Sequence, residues 1–324
     1  MINEDQQRLV DTNGVQLRVI EAGDRGAPTV ILAHGFPRLG YSWRHIVPAL
    51  VDAGYHVLAP DQRGYGGSSR PEGIDDYDIT ALTADLVGLL DDTGARRAVW
   101  VGQDLGGMVV WAAAHLHPDR VAGIVGLNFP PVPRGKLPPT QAYRKMVGDS
   151  FLYMLYFQQP GIADAELDAD PARTLRRMIS FDLQSLTDPD VAIRMTTPGP
   201  IGFIDRLPEP GEPPNWLSAS EFDYYVTEFT RTGFTGGLNW YRNFDRNWQI
   251  LAEPPAPTVV VPALVIVGTN DPTQGFTPRH RATEVATGPY REVALDGAGH
   301  WLQEERADEV NAELLRFLAD LKWG

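Results

Sequence analysis

A run of four apolar residues, Ala98-Val99-Trp100-Val101, breaks into Gly102-Gln103-Asp104-Leu105-Gly106, and an apolar stretch with helical character follows from Leu105 to His115. A strand buried on both faces reads as a continuous apolar run. Small residues on either side of a central polar one, directly after such a run, suit a sharp strand-to-helix turn that pushes the middle side chain out. That middle position usually carries serine. Here it carries aspartate. A turn of this kind belongs at the carboxyl edge of a mostly parallel sheet, so it narrows the fold before any other feature is weighed.

The flanking chain agrees. Strands are expected at Gln16–Glu21, Thr29–Ala33, His56–Ala59, Ala98–Val101 and Val121–Leu127, with helices at Ser42–Ala53, Ile79–Asp92 and Leu105–His115. After Pro130 the periodicity breaks. Proline and aromatic residues dominate to Pro262, with loop or linker stretches at 207–216 and 253–262. Strand-helix order returns with "ALVIVG" (263–268), a helix over Pro278–Ala286, "REVALDG" (291–297) and a last helix from Leu302 to Leu321. The expected architecture is α/β: a mostly parallel central sheet with helices on both faces, built from residues 1–130 and 263–324. A mostly helical lid, residues 131–262, is inserted after the sixth strand.

Length and composition fit one such domain, with 324 residues, 43% hydrophobic and 22% charged. The absence of cysteine excludes disulfides, thiol nucleophiles and zinc-thiolate sites. A net charge of −14 argues against a nucleic-acid partner. The start, Met1-Ile2-Asn3-Glu4-Asp5, has neither a basic n-region nor an apolar h-region, and the longest apolar run, Met108–Ala114, is too short to span a bilayer. A cytoplasmic protein with no membrane association is expected.

In open α/β sheets ligands sit outside the carboxyl ends of the strands. Reactive residues follow four strand runs: His34-Gly35-Phe36-Pro37, the elbow around Asp104, Gly268-Thr269-Asn270-Asp271, and Asp296-Gly297-Ala298-Gly299-His300. Their order, nucleophile then acid then histidine, is that of an α/β-hydrolase triad. Blander roles compete. Asp104 and Asp271 are also fit to be helix caps. Asp296 rivals Asp271 as partner of His300, and Asn128 is a neutral rival. Of the other histidines, His45 and His56 lie in element interiors, His115, His117 and His280 near helix ends at the surface, and His34 suits the oxyanion loop.

The elbow, "HGFP", "DQRGYGGSS" (61–69), "FLYMLYFQQPG" (151–161), "EFDYYVTEFTRTGFTGGLNWYRN" (221–243) and "GAGHW" (297–301) together resemble the soluble epoxide hydrolases over nearly the whole chain. "LNWYRN" and "YFQQPG" are the specific part. The resemblance implies that Tyr153 and Tyr241 project from the lid toward an epoxide oxygen. Gln103 and Leu105 depart from it: many relatives have histidine at the first position and tryptophan or another bulky residue at the second. Both flank the nucleophile and bear on pocket shape.

A carboxylate is ionised at neutral pH and needs no base to activate it, so it suits attack on an sp³ carbon. The resulting ester is then hydrolysed by water that His300 deprotonates, with Asp271 orienting the histidine. The backbone N–H groups of Phe36 and Leu105 are placed for the oxyanion. The expected pocket wall is apolar: Phe36, Leu105, Met154, Phe157, Ile204 and Trp301. The expected partners are a small hydrophobic epoxide and water, with no cofactor, no metal and no nucleic acid; a homo-oligomer is compatible with the sequence. A haloalkane or haloacid dehalogenase would use the same triad. However, Leu105, Phe36 and Met108 stand where such enzymes commonly carry halide- or carboxylate-binding side chains. A catalytically idle ligand-binding protein on this fold is the third reading.

Overall fold

In the computed structural model, residues 7–211, 213–252 and 258–323 are described. Eight strands form one sheet in the order β1-β2-β4-β3-β5-β6-β7-β8. They span β1 Gln7–Thr12, β2 Val15–Ala22, β3 Thr29–Ala33, β4 His56–Pro60, β5 Ala98–Gln103, β6 Val121–Leu127, β7 Ala263–Gly268 and β8 Tyr290–Leu295. β2 pairs antiparallel with β1 and β4, and the remaining pairings are parallel.

Helices α1 (Val47–Asp52), α2 (Ile79–Thr93) and α3 (Leu105–Leu116) alternate with these strands. Nine more α-helices lie between β6 and β7 among the described residues. They are α4 Pro139–Val147, α5 Tyr153–Tyr156, α6 Ile162–Ala169, α7 Pro171–Ile179, α8 Pro189–Thr196, α9 Phe203–Arg206, α10 Ala219–Thr232, α11 Thr235–Arg242 and α12 Phe244–Ile250. The chain ends with α13 Leu302–Glu305 and α14 Ala307–Ala319. Among the described residues no helix is long and apolar enough to cross a membrane.

The continuous apolar runs have a direct cause. Along β5, Ala98 and Trp100 pack into one core layer with Leu86 of α2 and Val109 of α3, while Val99 and Val101 pack into the other with Leu50 of α1 and Leu314 of α14. Successive side chains of a strand point to opposite faces, so a sheet covered on both sides needs apolar residues at every position.

Several elements differ from the sequence expectation. β1 was not expected, because it buries only one face: Val10 and Thr12 point inward while Leu9 and Asp11 are exposed. Counting it, the strand before the helical insertion is the sixth. The helix expected over Ser42–Ala53 is a 3₁₀ turn, Gly40–Trp43, followed by α1, which starts just before Pro48. Proline is tolerated in a first helical turn and breaks a helix interior. His45 consequently sits exposed in a turn, outside any element interior. In place of a helix over Pro278–Ala286 there is a 3₁₀ turn, Arg279–Glu284, after which Ala286 bridges to Val259. The expected last helix is split at Arg306, whose φ of −132° and ψ of 41° are not helical. Of the expected linker 253–262, residues 253–257 lie outside the described part.

The insertion is tied to the sheet domain by buried polar contacts. Asn247 accepts from the N–H of Ile79 at 2.8 Å, and Trp240 donates to the carbonyl of Arg63 at 3.1 Å. Arg44 bonds Glu304 of α13 and Glu221 of α10, and the Tyr225 hydroxyl donates to Glu304 at 3.2 Å. Arg38, fully buried, pairs with Glu304 at 2.9 Å and lies over the Trp301 ring at 4.0 Å.

The elbow demands small residues at its crossing points. A Cβ on Gly106 would come within 2.1 Å of the Ala33 carbonyl oxygen. Alanine normally stabilises a helix relative to glycine by about 1 kcal/mol. Here Gly106→Ala is expected to do the opposite, lowering stability by about 1–3 kcal/mol because β3 backbone blocks the methyl group. Urea unfolding measures it, and a midpoint raised above wild type would mean that β3 gives way.

Candidate active site

Parallel registration brings the strand exits together. Ala33 pairs with Gly102, Gln103 with Leu127, Leu127 with Ile266 and Gly268 with Leu295. The residues that follow, from His34, Asp104, Asn128, Asp271 and His300, therefore share one edge of the sheet.

Asp104 joins β5 to α3 at φ 52° and ψ −127°, a backbone state that a residue with a side chain rarely adopts. Its carboxylate does not cap α3. Oδ1 accepts from the N–H of Phe36 at 3.0 Å, and the Leu105 N–H also bonds the carboxylate. Gly35 lets the Phe36 loop come this close, since a Cβ there would sit 2.5 Å from Asp104 Oδ1. One of the two amides expected to form an oxyanion hole, that of Phe36, thus already holds a carboxylate oxygen of Asp104. His34 is fully buried, and burial keeps it neutral with a pKa lowered to about 4. Its Nδ1 bonds the Gly35 carbonyl at 2.9 Å and its Nε2 accepts from the Gln62 N–H at 3.0 Å, which fixes the loop.

His300 lies between two carboxylates. Nδ1 is 3.0 Å from Asp271 Oδ1, and Nε2 is 3.6 Å from Asp104 Oδ2. Asp271 both partners the histidine and caps the next 3₁₀ turn, accepting from the Thr273 N–H at 2.8 Å. The rivals fall elsewhere. Asp296 is exposed and accepts from the Thr269 hydroxyl at 3.2 Å. Asn128 grips the histidine's loop, accepting from the Gly268 N–H at 2.7 Å and donating to the carbonyls of Gly299 and His300 at 3.0 Å each.

Burial raises the Asp104 carboxyl above its ordinary value, against the pull of His300 and the two amide donors. Burial pushes the same way on Asp271, but the charge and hydrogen bond of His300 outweigh it and hold that carboxyl low. For His300, burial lowers the pKa, and Asp271 followed by Asp104 more than reverse this, lifting it to about 9. In the free site Asp271 and Asp104 thus favour the charged form of the imidazole.

Tyr153 opens α5 and Tyr241 lies in the last turn of α11, with ring centroids 6.1 Å apart. Burial, then the charge of Asp104, push both phenols well above the ordinary tyrosine range, so both stay protonated. Two cavities, of about 420 and 300 Å³, meet between them at Asp104, and both tyrosines line each.

Of the six expected pocket residues, Phe36 and Trp301 line the larger cavity and Leu105 and Met154 the smaller. Phe157 and Ile204 line neither. Phe157 is fully buried behind the wall, edge-on to Phe36, Tyr153 and Tyr241. Ile204 is buried in α9, where its N–H donates to Glu166 at 2.8 Å. Sequence reasoning missed Met178, Met195, Phe203 and Phe276, which line the larger cavity. Met178 and Met195 lie on short helices of the insertion, Phe203 opens another, and Phe276 ends the 3₁₀ turn after Asp271. It also missed the contact of Gln103 with His300, although the elbow pattern placed Gln103 beside the nucleophile.

Residues 28–307 match the family model of the alpha/beta hydrolase fold. Over 316 residues the chain is 66% identical to Epoxide hydrolase A of Mycobacterium tuberculosis, covering 98% of each. It is 35% identical to Bifunctional epoxide hydrolase 2 of Rattus norvegicus over 94% of this chain and 54% of the rat protein. The crystal structure of Epoxide Hydrolase A from Mycobacterium thermoresistibile superposes with a TM-score of 0.94 at 64% identity, covering 98% of both chains. The chain therefore belongs to the α/β-hydrolase fold family and, within it, to the epoxide hydrolases.

The charge arrangement has a measurable sign. The His300 pKa is raised from 6.5 to about 9, so its contribution to stability is fully present below about pH 6.5 and is lost as pH rises through 9. The Asp271 contribution is present above its ordinary value of 3.8 and is lost on acidification. His300→Gln is thus expected to lower Tm most near pH 5–6.5 and progressively less toward pH 9.5. A Tm difference that is flat over this range would show that the pair carries no such linkage.

Proposed function

We propose that the protein hydrolyses a hydrophobic epoxide to a vicinal diol through an ester on Asp104. The observation that carries this reading is the division of labour between the two oxygens of that carboxylate. Oδ1 is held by the backbone amide of Phe36, while Oδ2 faces His300 at 3.6 Å. Asp104 also borders both cavities, beside two protonated phenols.

Oδ2 attacks a ring carbon, forming the C–O ester bond as the ring C–O bond breaks. Tyr153 and Tyr241 donate to the ring oxygen, and these bonds strengthen as charge grows on it. The alkoxide takes up the proton that the His300 imidazolium releases. Ester formation also removes the Asp104 charge, one of the two carboxylates that keep His300 protonated, so the imidazolium becomes more acidic and gives up its proton. A neutral base then exists at the step that needs one. Water attacks Cγ as Nε2 takes its proton, and the oxyanion develops on Oδ1 between the Phe36 and Leu105 amides. Collapse expels the diol oxygen, which takes the proton back from His300. The new acid proton of Asp104 then passes to the imidazole, restoring the starting charges.

The insertion, residues 131–262, acts in this scheme as a lid that supplies the two phenols. A halide would leave without protonation and would need side-chain N–H donors. Leu105, Phe36 and Met108 offer none, which disfavours the dehalogenase reading. An idle binding protein would not need the triad and both phenols together.

Two experiments test the scheme. In a single turnover in ¹⁸O-water, label should enter the Asp104 carboxylate before it appears in diol, and His300→Gln should accumulate an alkyl adduct visible by intact mass. Label confined to diol, or normal turnover by His300→Gln, sinks the two-step reaction. Removing one of two donors to a developing oxyanion costs about 2–4 kcal/mol. Tyr153→Phe and Tyr241→Phe should each slow ring opening about a hundredfold, and the double variant should be nearly inactive with ester hydrolysis little changed. Equal epoxide turnover by wild type and the double variant would reduce both tyrosines to packing.

A further inference from the structure

Gln103, the last residue of β5, is wholly buried beside His300. Its Nε2 is 3.1 Å from the His300 carbonyl oxygen and 3.2 Å from ring Nε2, while its Oε1 has no partner among the described residues. The amide orientation follows from these distances. With nitrogen toward His300, each of its two hydrogens meets an acceptor. The reverse orientation would press oxygen against the carbonyl oxygen.

The contact at Nε2 is favourable only when that atom carries a lone pair. In the protonated ring Nε2 bears a hydrogen, and two N–H groups would face each other. We propose that Gln103 is a positioning residue for His300: it holds the ring with its proton on Nδ1 toward Asp271 and Nε2 bare, and it disfavours the protonated ring. This rests on the reading of His300 as the base of ester hydrolysis.

The charges around the ring push the other way. Asp271 stands at Nδ1 and Asp104 at Nε2. Glu305 accepts from the N–H groups of Gly299 and Trp301, on either side of His300, at 2.8 and 2.6 Å. Of the cations, Arg38 lies over the ring of the adjacent Trp301 at 4.0 Å. Tyr153 and Tyr241, across the cavity, are uncharged. Three carboxylates thus favour the imidazolium, and Gln103 donates to the state they oppose. When a water proton arrives, the amide surrenders the Nε2 lone pair and keeps its bond to the His300 carbonyl.

Gln103→Met and Gln103→Leu keep the bulk and remove the donor. A hydrogen bond to the neutral form lowers a histidine pKa. ¹⁵N NMR of labelled histidine should therefore show His300 titrating about half a pH unit or more higher in either variant. The acid limb of single-turnover ester hydrolysis should move by the same amount, with rates converging on wild type above it. An unmoved or lowered titration, or a loss of rate by the same factor at every pH, overturns the proposal. Should neither variant fold, the wild-type spectrum decides: a neutral ring protonated on Nε2 overturns it, and one protonated on Nδ1 supports it. The NMR readout needs no turnover. A shifted titration without any acid limb in ester hydrolysis would retain Gln103's hold and reject His300 as the base.

Discussion

The bond from the Phe36 N–H to Asp104 Oδ1 is short-range, yet the arrangement of the whole sheet edge is needed to make it. It requires the loop after β3 to lie against the turn after β5. That in turn requires Gly35 and Gly106 to let two backbones approach and Asp104 to hold a backbone angle of φ 52°. Such a conformation costs about 1–3 kcal/mol and persists only where surrounding structure enforces it. Here the enforcement comes from β3, β5 and β6, whose side chains fill both core layers. Close packing of the sheet is thus what keeps a carboxylate pointed at amides instead of capping its own helix.

Much of this was legible in the chain because a parallel sheet covered on both faces writes itself as uninterrupted apolar runs. Asp104, Asp271 and His300 could be found by stepping one to five residues beyond those runs. β1 was hidden because an edge strand with one buried face looks like ordinary polar sequence. The helix expected at Leu302–Leu321 splits at Arg306, just after Glu305, whose carboxylate is turned back onto the amides of Gly299 and Trp301, and apolar spacing alone does not record that turn. Phe157 and Ile204 were expected on the pocket wall because they are apolar and lie in the insertion. Whether such a residue faces a cavity or stands behind it depends on packing among nine short helices, and periodicity does not reach that level. Gln103 was visible as a neighbour of the nucleophile, but its contact with His300 joins residues 197 positions apart.

Charge is handled differently in two parts of the molecule. Around His300, on the proposed mechanism, the balance of carboxylates changes when Asp104 is esterified. Around Glu304 the pairing is static: Arg38, Arg44 and the Tyr225 hydroxyl converge on one buried carboxylate. Buried ion pairs of this sort contribute little net stability, but removing one member strands the other in a medium that cannot solvate it. Their geometric effect is clearer. They join the loop after β3, the helix after His300 and α10 of the insertion into one unit.

Asp104, Asp271 and His300 rise from the sheet edge, while the Tyr153 and Tyr241 phenols hang from the insertion, in α5 and α11. On the proposed mechanism the sheet segment supplies the nucleophile and the base for both half-reactions, while the insertion supplies the proton donors of ring opening alone. Residues of the insertion around the two phenols can therefore vary without altering the groups that form and clear the ester. A lineage with this architecture can change its diet without relearning how to finish a meal.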